Sequence, residues 1–170
     1  MSAATQTPTP TQTATNSNLT RAFPELEGRL LVVYDGECGF CNRSIRWFLR
    51  RDRKDRLRFV PSNSPAVAEL LSRHGIQTNS DTSPDSAPDT ILVLRNVDTP
   101  IEELLVRSNA ILACMRVLPQ PWPFLATLAR IIPRPVRESA YRLIARWRYK
   151  IWGRHTTCPI PTPAERKHFL

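Results

Sequence analysis

The stretch Leu30-Leu31-Val32-Val33-Tyr34-Asp35-Gly36-Glu37-Cys38-Gly39-Phe40-Cys41 joins an apolar run to two cysteines three positions apart. The apolar run predicts a buried strand, and the amphipathic sequence after it predicts a helix that begins at Cys38 or Gly39. The thiols then lie one turn apart at a helix N-terminus. Free backbone N–H groups and the helix dipole at that position favour a thiolate, the reactive form of cysteine. The stretch therefore indicates dithiol–disulfide chemistry.

The elements predicted along the chain alternate between strands and helices. They are strands at 29–34, 57–60, 90–94 and 101–106 and helices at 38–53, 65–73, 108–118, 124–132 and 133–152, with Ser64 and Ser108 as N-caps. A helix joins the first two strands, which should be parallel, whereas the last two form an antiparallel hairpin. The prediction is an α/β fold with a four-stranded mixed sheet. Its order, β-α-β-α-β-β-α, is that of a thioredoxin-like core with additional C-terminal helices.

Composition divides the chain into three parts. Residues 1–22 are dominated by Thr, Ser, Gln, Asn, Ala and Pro, which predicts a disordered low-complexity tail. We expect 23–118 to form the thioredoxin-like core and 119–170 to form a helical C-terminal extension packed on the same domain. The tail lacks the basic start and apolar segment of a secretory signal, although its composition leaves an organelle transit peptide open.

The cysteine content favours a reducing compartment. Four cysteines in 170 residues include one close pair, unlike the dense cross-linking of small secreted scaffolds. No segment contains the roughly 20 uninterrupted apolar residues of a transmembrane helix. We therefore expect a cytoplasmic protein that is soluble or at most peripheral to a membrane, and we also expect a monomer.

The net charge of +9 is concentrated in the C-terminal part of the chain. Residues 104–170 contain 12 Lys and Arg against 2 Asp and Glu. The last predicted helix carries cations on one side, and three tryptophans lie near arginines in the sequence: Arg142, Arg146 and Lys150, and Trp122, Trp147 and Trp152. Peripheral membrane contact is one interpretation, and a solvated helix face with core tryptophans is the commoner one. No recognition motif accompanies the charge, so we expect no nucleic-acid partner.

The segment Tyr34-Asp35-Gly36-Glu37-Cys38-Gly39-Phe40-Cys41 resembles the Asp-x-x-Cys-x-x-Cys signature of the DCC family of thiol-disulfide oxidoreductases. Later segments resemble that family in their order along the chain: Arg107-Ser108-Asn109-Ala110, Ile132-Pro133-Arg134-Pro135, Tyr141-Arg142-Leu143-Ile144-Ala145-Arg146, Arg148-Tyr149 and the segment around Cys158. The resemblance covers about 29–161. It implies a thioredoxin-like fold and disulfide exchange with a protein or small-molecule thiol or disulfide. It names no substrate or electron donor, and we expect no cofactor.

The two cysteines have different predicted roles. By analogy with the fold, Cys38 is the exposed nucleophile and Cys41, on the inward stripe of the helix, is the resolving thiol. Gly39 and Phe40 tune the reduction potential and are candidate substrate-binding residues. We expect nearby cations to favour the thiolate and nearby carboxylates to oppose it: Arg43 and Arg46, and Asp35 and Glu37, respectively.

Asp35 has two interpretations. As a catalytic residue it accepts the proton of Cys41 during resolution, which requires a carboxylate kept partly protonated by burial. As a structural residue it belongs to the Asp35-Gly36 turn or caps the helix that follows. The residue types alone do not choose between the two roles.

Three further residues have both functional and ordinary interpretations, and a fourth, Cys114, has only an ordinary one. Pro88 precedes the third predicted strand, where thioredoxin-like proteins place a cis-proline that leaves the backbone free to pair with substrate, but it is also a plain loop proline. His155 and Cys158 could complete a zinc site with the CxxC pair, although a strand–helix CxxC is the redox placement, so we expect no metal. Cys158 is otherwise a third redox thiol or a surface residue. Cys114, among apolar neighbours, is expected to pack in the core.

These observations lead to two hypotheses. The first is an enzyme, a thiol-disulfide oxidoreductase of the protein-disulfide reductase type, with Cys38, Cys41 and Asp35 as catalytic residues. Gly39, Phe40 and Pro88 are its candidate substrate-binding residues. The alternative is a non-catalytic thioredoxin-like binding module, in which the cysteines form a zinc clamp and the basic helical surface faces a partner or a membrane.

Overall fold

The computed structural model describes residues 26–76, 90–97, 99–153 and 165–170. Its strands are β1 (Leu30–Tyr34), β2 (Leu57–Pro61), β3 (Leu92–Arg95) and β4 (Glu103–Val106). Its helices are α1 (Gly39–Leu49), α2 (Pro65–Arg73), α3 (Arg107–Val117), α4 (Trp122–Ala129) and α5 (Arg134–Trp152), and a 3₁₀ helix spans Arg166–His168. The predicted tail over 1–22 lies outside these residues, and so does the segment 77–89, whose Asn, Asp, Ser, Thr and Pro content predicts a loop.

The four strands form one mixed sheet in the order β2-β1-β3-β4. β1 runs parallel to β2, with Val32 opposite Phe59, and antiparallel to β3, with Val32 opposite Val93. β3 and β4 form the antiparallel hairpin. The predicted α/β fold with a four-stranded mixed sheet is confirmed, and the topology is consistent with a thioredoxin-like fold followed by further helices.

Helices cover both faces of the sheet because β1 is apolar and buried at every position. Successive side chains of a strand point to opposite faces, so β1 contributes to two separate cores. One core joins Leu30, Val32 and Tyr34 to α1 and α3, through residues that include Ile45, Phe48, Ala110 and Cys114. The other joins Leu31 and Val33 to α2, through Val67, Leu70 and Leu71. The β1–α1 junction is therefore held from both sides.

Several helix boundaries differ from the prediction. α4 begins at Trp122 and ends at Ala129 instead of spanning 124–132, and two other differences have a visible physical cause. α1 ends at Leu49 rather than near Arg53, because the buried Asp52 carboxylate accepts hydrogen bonds from the backbone N–H groups of Arg56 and Leu57, at 2.9 and 2.8 Å. These bonds turn the chain directly into β2. The N-cap of α3 is Val106 and not Ser108, since β4 leads into the helix without a loop. The Ser108 hydroxyl instead donates to Glu138 of α5.

The long helix α5 packs against α1 and α3. The Tyr141 hydroxyl accepts a hydrogen bond from the backbone N–H of Ile91 at 3.1 Å, and the Arg137 guanidinium donates to Asn109 at 3.2 Å. These contacts bring the end of α5 next to the start of α1. No helix in the described part of the chain has the length and apolarity needed to cross a lipid bilayer.

Candidate active site

The two cysteines of the CxxC motif lie at the N-terminus of α1, as the sequence predicts. Cys38 is the N-cap, with extended backbone angles (φ −81°, ψ 115°), and its Sγ accepts a hydrogen bond from the backbone N–H of Cys41 at 3.4 Å. A serine or aspartate oxygen has this function in most helices, satisfying one of the unpaired N–H groups. Here the Cys38 sulfur accepts the N–H hydrogen bond, which stabilises negative charge on that sulfur. Both cysteines are free thiols.

The exposure of the two cysteines is the reverse of the prediction. Cys38 is 0% exposed, whereas Cys41 is only partly buried. The expectation of an exposed Cys38 is wrong: as the N-cap, its side chain turns back over the helix terminus and is buried there. Cys41 faces a cavity between α1 and α5.

The environment separates the pKa values of the two thiols. The pKa of Cys38 is lowered to about 6, first by a hydrogen bond from the Cys41 side chain and then by the Cys41 backbone N–H and the positive charge of Arg148, against the opposing effect of burial. The pKa of Cys41 is raised, first by the same hydrogen bond to Cys38 and then by burial. The proton therefore belongs to Cys41 and the negative charge to Cys38.

The cation that acts on the thiols comes from α5 rather than from α1. The charge of Arg148 lowers the pKa of both cysteines, and its side chain is only 4% exposed. Arg43 and Arg46, which the sequence singles out, are exposed to solvent. Reasoning from the sequence missed the function of Arg148, although Arg148-Tyr149 was among the segments that resemble the DCC family.

Asp35 connects the CxxC motif to α5. One carboxylate oxygen accepts the backbone N–H of Glu37 at 2.9 Å, which closes the turn before the helix. The other accepts the Tyr149 hydroxyl and lies 3.5 Å from the Arg148 guanidinium. The structural alternative in which Asp35 caps the helix is wrong, because Cys38 occupies the N-cap. The negative charge of Asp35 raises the pKa of both thiols, as expected for a nearby carboxylate.

An apolar cavity of about 640 Å³ lies beside Cys41. Most of its lining residues come from α1, α3 and α5 and include Phe40, Cys41, Ile111, Met115, Ile144 and Trp152. The rings of Phe40 and Trp152 are in contact, with centroids 4.8 Å apart. Gly39 begins α1 between the two cysteines. Phe40 and Cys41 are thus the members of the motif that border a space large enough for a ligand.

Several residues singled out in the sequence lie outside the described residues, namely Pro88, His155 and Cys158. Cys114 is described and is fully buried in the core between β1, α1 and α3, and burial raises the pKa of its thiol to about 12. The prediction that Cys114 packs in the core is confirmed. It is an inert thiol in comparison with Cys38.

One group of possible metal ligands occurs among the described residues. The ligand atoms of Asp52, Asp55 and His168 lie within 4.8 Å of one another, at the start of β2. Arg29 and Arg58 each approach the Asp55 carboxylate to 3.0 Å. The Asp52 carboxylate accepts hydrogen bonds from two backbone N–H groups. The carboxylates therefore already have partners that compensate their charge. This group stabilises the junction between α1 and β2.

The fold and the site together define a thioredoxin-like protein with a vicinal dithiol at the first strand-to-helix junction. The sequence model of the DCC1-like thiol-disulfide oxidoreductase family matches residues 32–154. The chain belongs to this family, which supports a redox role for its paired thiols.

Two curated relatives are similar over most of their length. The uncharacterized protein YuxK of Bacillus subtilis (strain 168) is 28% identical over 140 residues, which are 82% of this chain and 93% of that protein. The DCC family protein At1g52590, chloroplastic, of Arabidopsis thaliana is 29% identical over 141 residues, which are 83% of this chain and 75% of that protein. No solved structure matches the chain.

Proposed function

We propose that the protein is a thiol-disulfide oxidoreductase of the protein-disulfide reductase type. The observation that carries the proposal is the pair Cys38 and Cys41 at the N-terminus of α1, in which hydrogen bonding lowers the pKa of Cys38 to about 6 and raises that of Cys41. Disulfide exchange requires this combination, since one thiol must attack as the thiolate and the other must hold its proton until resolution.

The proposed reaction has two exchange steps. The Cys38 thiolate attacks one sulfur of a substrate disulfide, forms a mixed disulfide, and releases the other substrate sulfur as a thiolate that takes a proton from solvent. Cys41 then loses its proton and attacks the Cys38 sulfur, which releases the second substrate thiol. The substrate gains two electrons, and the pair becomes a disulfide. A dithiol reductant outside this chain would restore the pair.

The other proposed site residues act around this pair. Asp35 is 12% exposed and its charge acts on both thiols, which supports its role as acceptor of the Cys41 proton. Phe40 borders the cavity beside Cys41, which supports contact with an apolar part of the substrate. Gly39, between the thiols, and Pro88, as a cis-proline opposite them, remain substrate-binding proposals.

Trapping of the mixed disulfide tests the proposed order of attack. The reduced Cys41→Ser variant is mixed with a labelled peptide disulfide, and the adduct is located by mass spectrometry. We expect the label on Cys38, and we expect Cys38→Ser with Cys41 intact to trap far less. Labelling of Cys41 in the Cys38→Ser variant at the rate of Cys38 would reverse the assignment. A failure of both variants to form any adduct would contradict disulfide exchange and favour a binding module.

The compartment and the assembly state are also proposals. A reducing compartment suits a dithiol whose resting form is reduced, and the cytoplasm is our first choice. The relative from Arabidopsis thaliana is described as chloroplastic, which supports a test of the polar N-terminal segment as an organelle-targeting sequence. Microscopy of the full chain, with and without residues 1–22 and carrying a fluorescent C-terminal fusion, distinguishes the two locations. Size-exclusion chromatography tests the proposed monomer.

A further inference from the structure

We propose that the exposed surface of α4 and α5 binds peripherally to the surface of an anionic lipid bilayer. We call this surface the α4–α5 face and define it by the apolar residues Phe124, Leu128, Val136, Leu143, Trp147 and Ile151. All the large exposed hydrophobic side chains of the described residues lie between Phe124 and Trp152, with the exception of Ile101. Apolar exposure concentrated in this way marks an interaction surface.

The apolar residues of α5 form a stripe along one side of the helix. Val136, Leu143, Trp147 and Ile151 are spaced seven, four and four positions apart, which places them on the same side. Leu143, Trp147 and Ile151 are 60%, 53% and 59% exposed. The opposite side of the helix binds the rest of the protein through Glu138, Tyr141 and Arg148. The stripe is therefore available to a partner outside the fold.

Cations flank the stripe on α5. Arg142, Arg146 and Lys150 are exposed and follow one another at four-residue spacing, which places them in a row next to the apolar residues. The one acidic residue of α5, Glu138, accepts the Ser108 hydroxyl on the other side of the helix. A helix with an apolar stripe, tryptophan and a basic border is typical of segments that lie in the interface of a membrane.

The charge distribution favours lipid over a second copy of this chain. A symmetric dimer in which two copies of α5 pack antiparallel through the α4–α5 face would bring one row of cations against the same row of its partner, without carboxylates of α5 between them. In a bilayer, anionic headgroups instead neutralise the row of cations, and the apolar stripe inserts into the acyl region beneath them. The 19 residues of α5 span about 28 Å, so one helix can contact several headgroups at once.

Sedimentation of the full chain with lipid vesicles tests the proposal without any redox readout. We expect binding to phosphatidylcholine vesicles that contain phosphatidylglycerol, weakened by added salt, and little binding to phosphatidylcholine alone. The double variants Leu143→Ser/Ile151→Ser and Arg142→Glu/Arg146→Glu should each bind at least about tenfold more weakly. None of these four residues lines the cavity.

Matched controls come from outside the α4–α5 face. Ile101→Ser removes an apolar residue that is 71% exposed, and Arg53→Glu/Lys54→Glu reverses two exposed cations in the turn before β2. Both variants should bind vesicles like the wild type. Equal binding to the two kinds of vesicle, unchanged binding by the double variants of α5, or no binding at all would overturn the proposal. A concentration-dependent dimer that Leu143→Ser/Ile151→Ser breaks would assign the face to contacts between copies.

Discussion

The thiols of Cys38 and Cys41 have different pKa values because Cys38 accepts hydrogen bonds and Cys41 donates them. Both the side chain and the backbone N–H of Cys41 point toward the Cys38 sulfur, and these two hydrogen bonds contribute to lowering its pKa. The Cys41 thiol donates the side-chain hydrogen bond to Cys38. This bond is lost when Cys41 ionises, so the pKa of Cys41 is raised. The N-cap position thus selects which cysteine carries the charge.

The ultraviolet absorbance of the thiolate should report this asymmetry directly. In the reduced wild type, we expect thiolate to form as the pH rises through about 6. Cys41→Ala removes the side-chain donor and should move the midpoint upward, whereas Cys41→Ser keeps a hydroxyl donor and should move it less. Cys38→Ser should abolish the transition. A midpoint that is the same in Cys41→Ala and the wild type would contradict this explanation of the pKa.

The two interpretations of Asp35 predict different effects on resolution. If the carboxylate accepts the Cys41 proton, Asp35→Asn should slow release of substrate from the mixed disulfide by at least about tenfold and change its pH dependence. Tyr149→Phe is the control, because it removes the hydroxyl that bonds Asp35 and leaves the carboxylate in place. It should keep a release rate close to that of the wild type, because the carboxylate that accepts the proton is still present. Stopped-flow measurement of the release rate against pH provides the test, and an unchanged profile in Asp35→Asn would exclude the proton role.

Helix α5 contributes a buried cation to a site that is otherwise built at the β1–α1 junction. Arg148→Gln removes this charge and should raise the pKa of Cys38, since the positive charge of Arg148 lowers it. Arg148→Lys keeps the charge and should produce a smaller change. Arg142→Gln, on the exposed side of the same helix, should produce none. Thiolate titration of the three variants tests the effect, and equal midpoints for Arg148→Gln and Arg142→Gln would contradict it.

The turn that leads into β2 depends on Asp55. A hydrogen bond from Arg58, helped by the charges of Arg58 and Arg29, lowers the pKa of Asp55 to about 2. Because the pKa is lower in the folded state, the stabilisation is present above the unfolded value of about 3.9 and is lost as the pH falls toward 2. The side chain is 37% exposed, so we expect solvent screening to limit the contribution to about 1 kcal/mol.

The variant Asp55→Asn measures this contribution. Asn is the matched replacement because Asp55 has a φ of 53°, a left-handed conformation that Asn tolerates. Urea unfolding at neutral pH should give a free energy of unfolding about 1 kcal/mol below that of the wild type. The difference should shrink as the pH falls from about 4 to about 2. If the difference in the free energy of unfolding persists unchanged at low pH, the loss in Asp55→Asn comes from packing rather than from charge.

The architecture of the protein was predictable where local sequence determines it. The apolar run of β1, the cysteine spacing and the proline and serine signals around α2 predicted the sheet and the place of the dithiol, and these predictions agree with the structure. Local patterns also indicate that one side of α5 is apolar and another basic. They do not indicate which side of that helix packs against α1 and α3 or what the other side contacts.

The parts of the site that escaped prediction come from distant segments. Asp35 and Tyr149 are 114 positions apart, and they meet only because α5 docks across α1 and α3. Cys38 is buried and Arg148 acts on it from α5, and neither feature follows from the helix that contains the cysteines. Tertiary packing, rather than helix periodicity, thus decides which thiol is accessible and which cation acts on it.

Thiol trapping across buffers of increasing oxidising potential tests the redox role most directly. The full chain is equilibrated with mixtures of reduced and oxidised glutathione, quenched with an alkylating reagent and examined by mass spectrometry. We expect Cys38 and Cys41 to lose their reactivity together in one reversible two-electron transition, with Cys114 unaffected, and we expect Cys38→Ser to lack the transition. If both thiols are alkylated fully at every potential, the pair does not form a disulfide and the proposed oxidoreductase function is wrong.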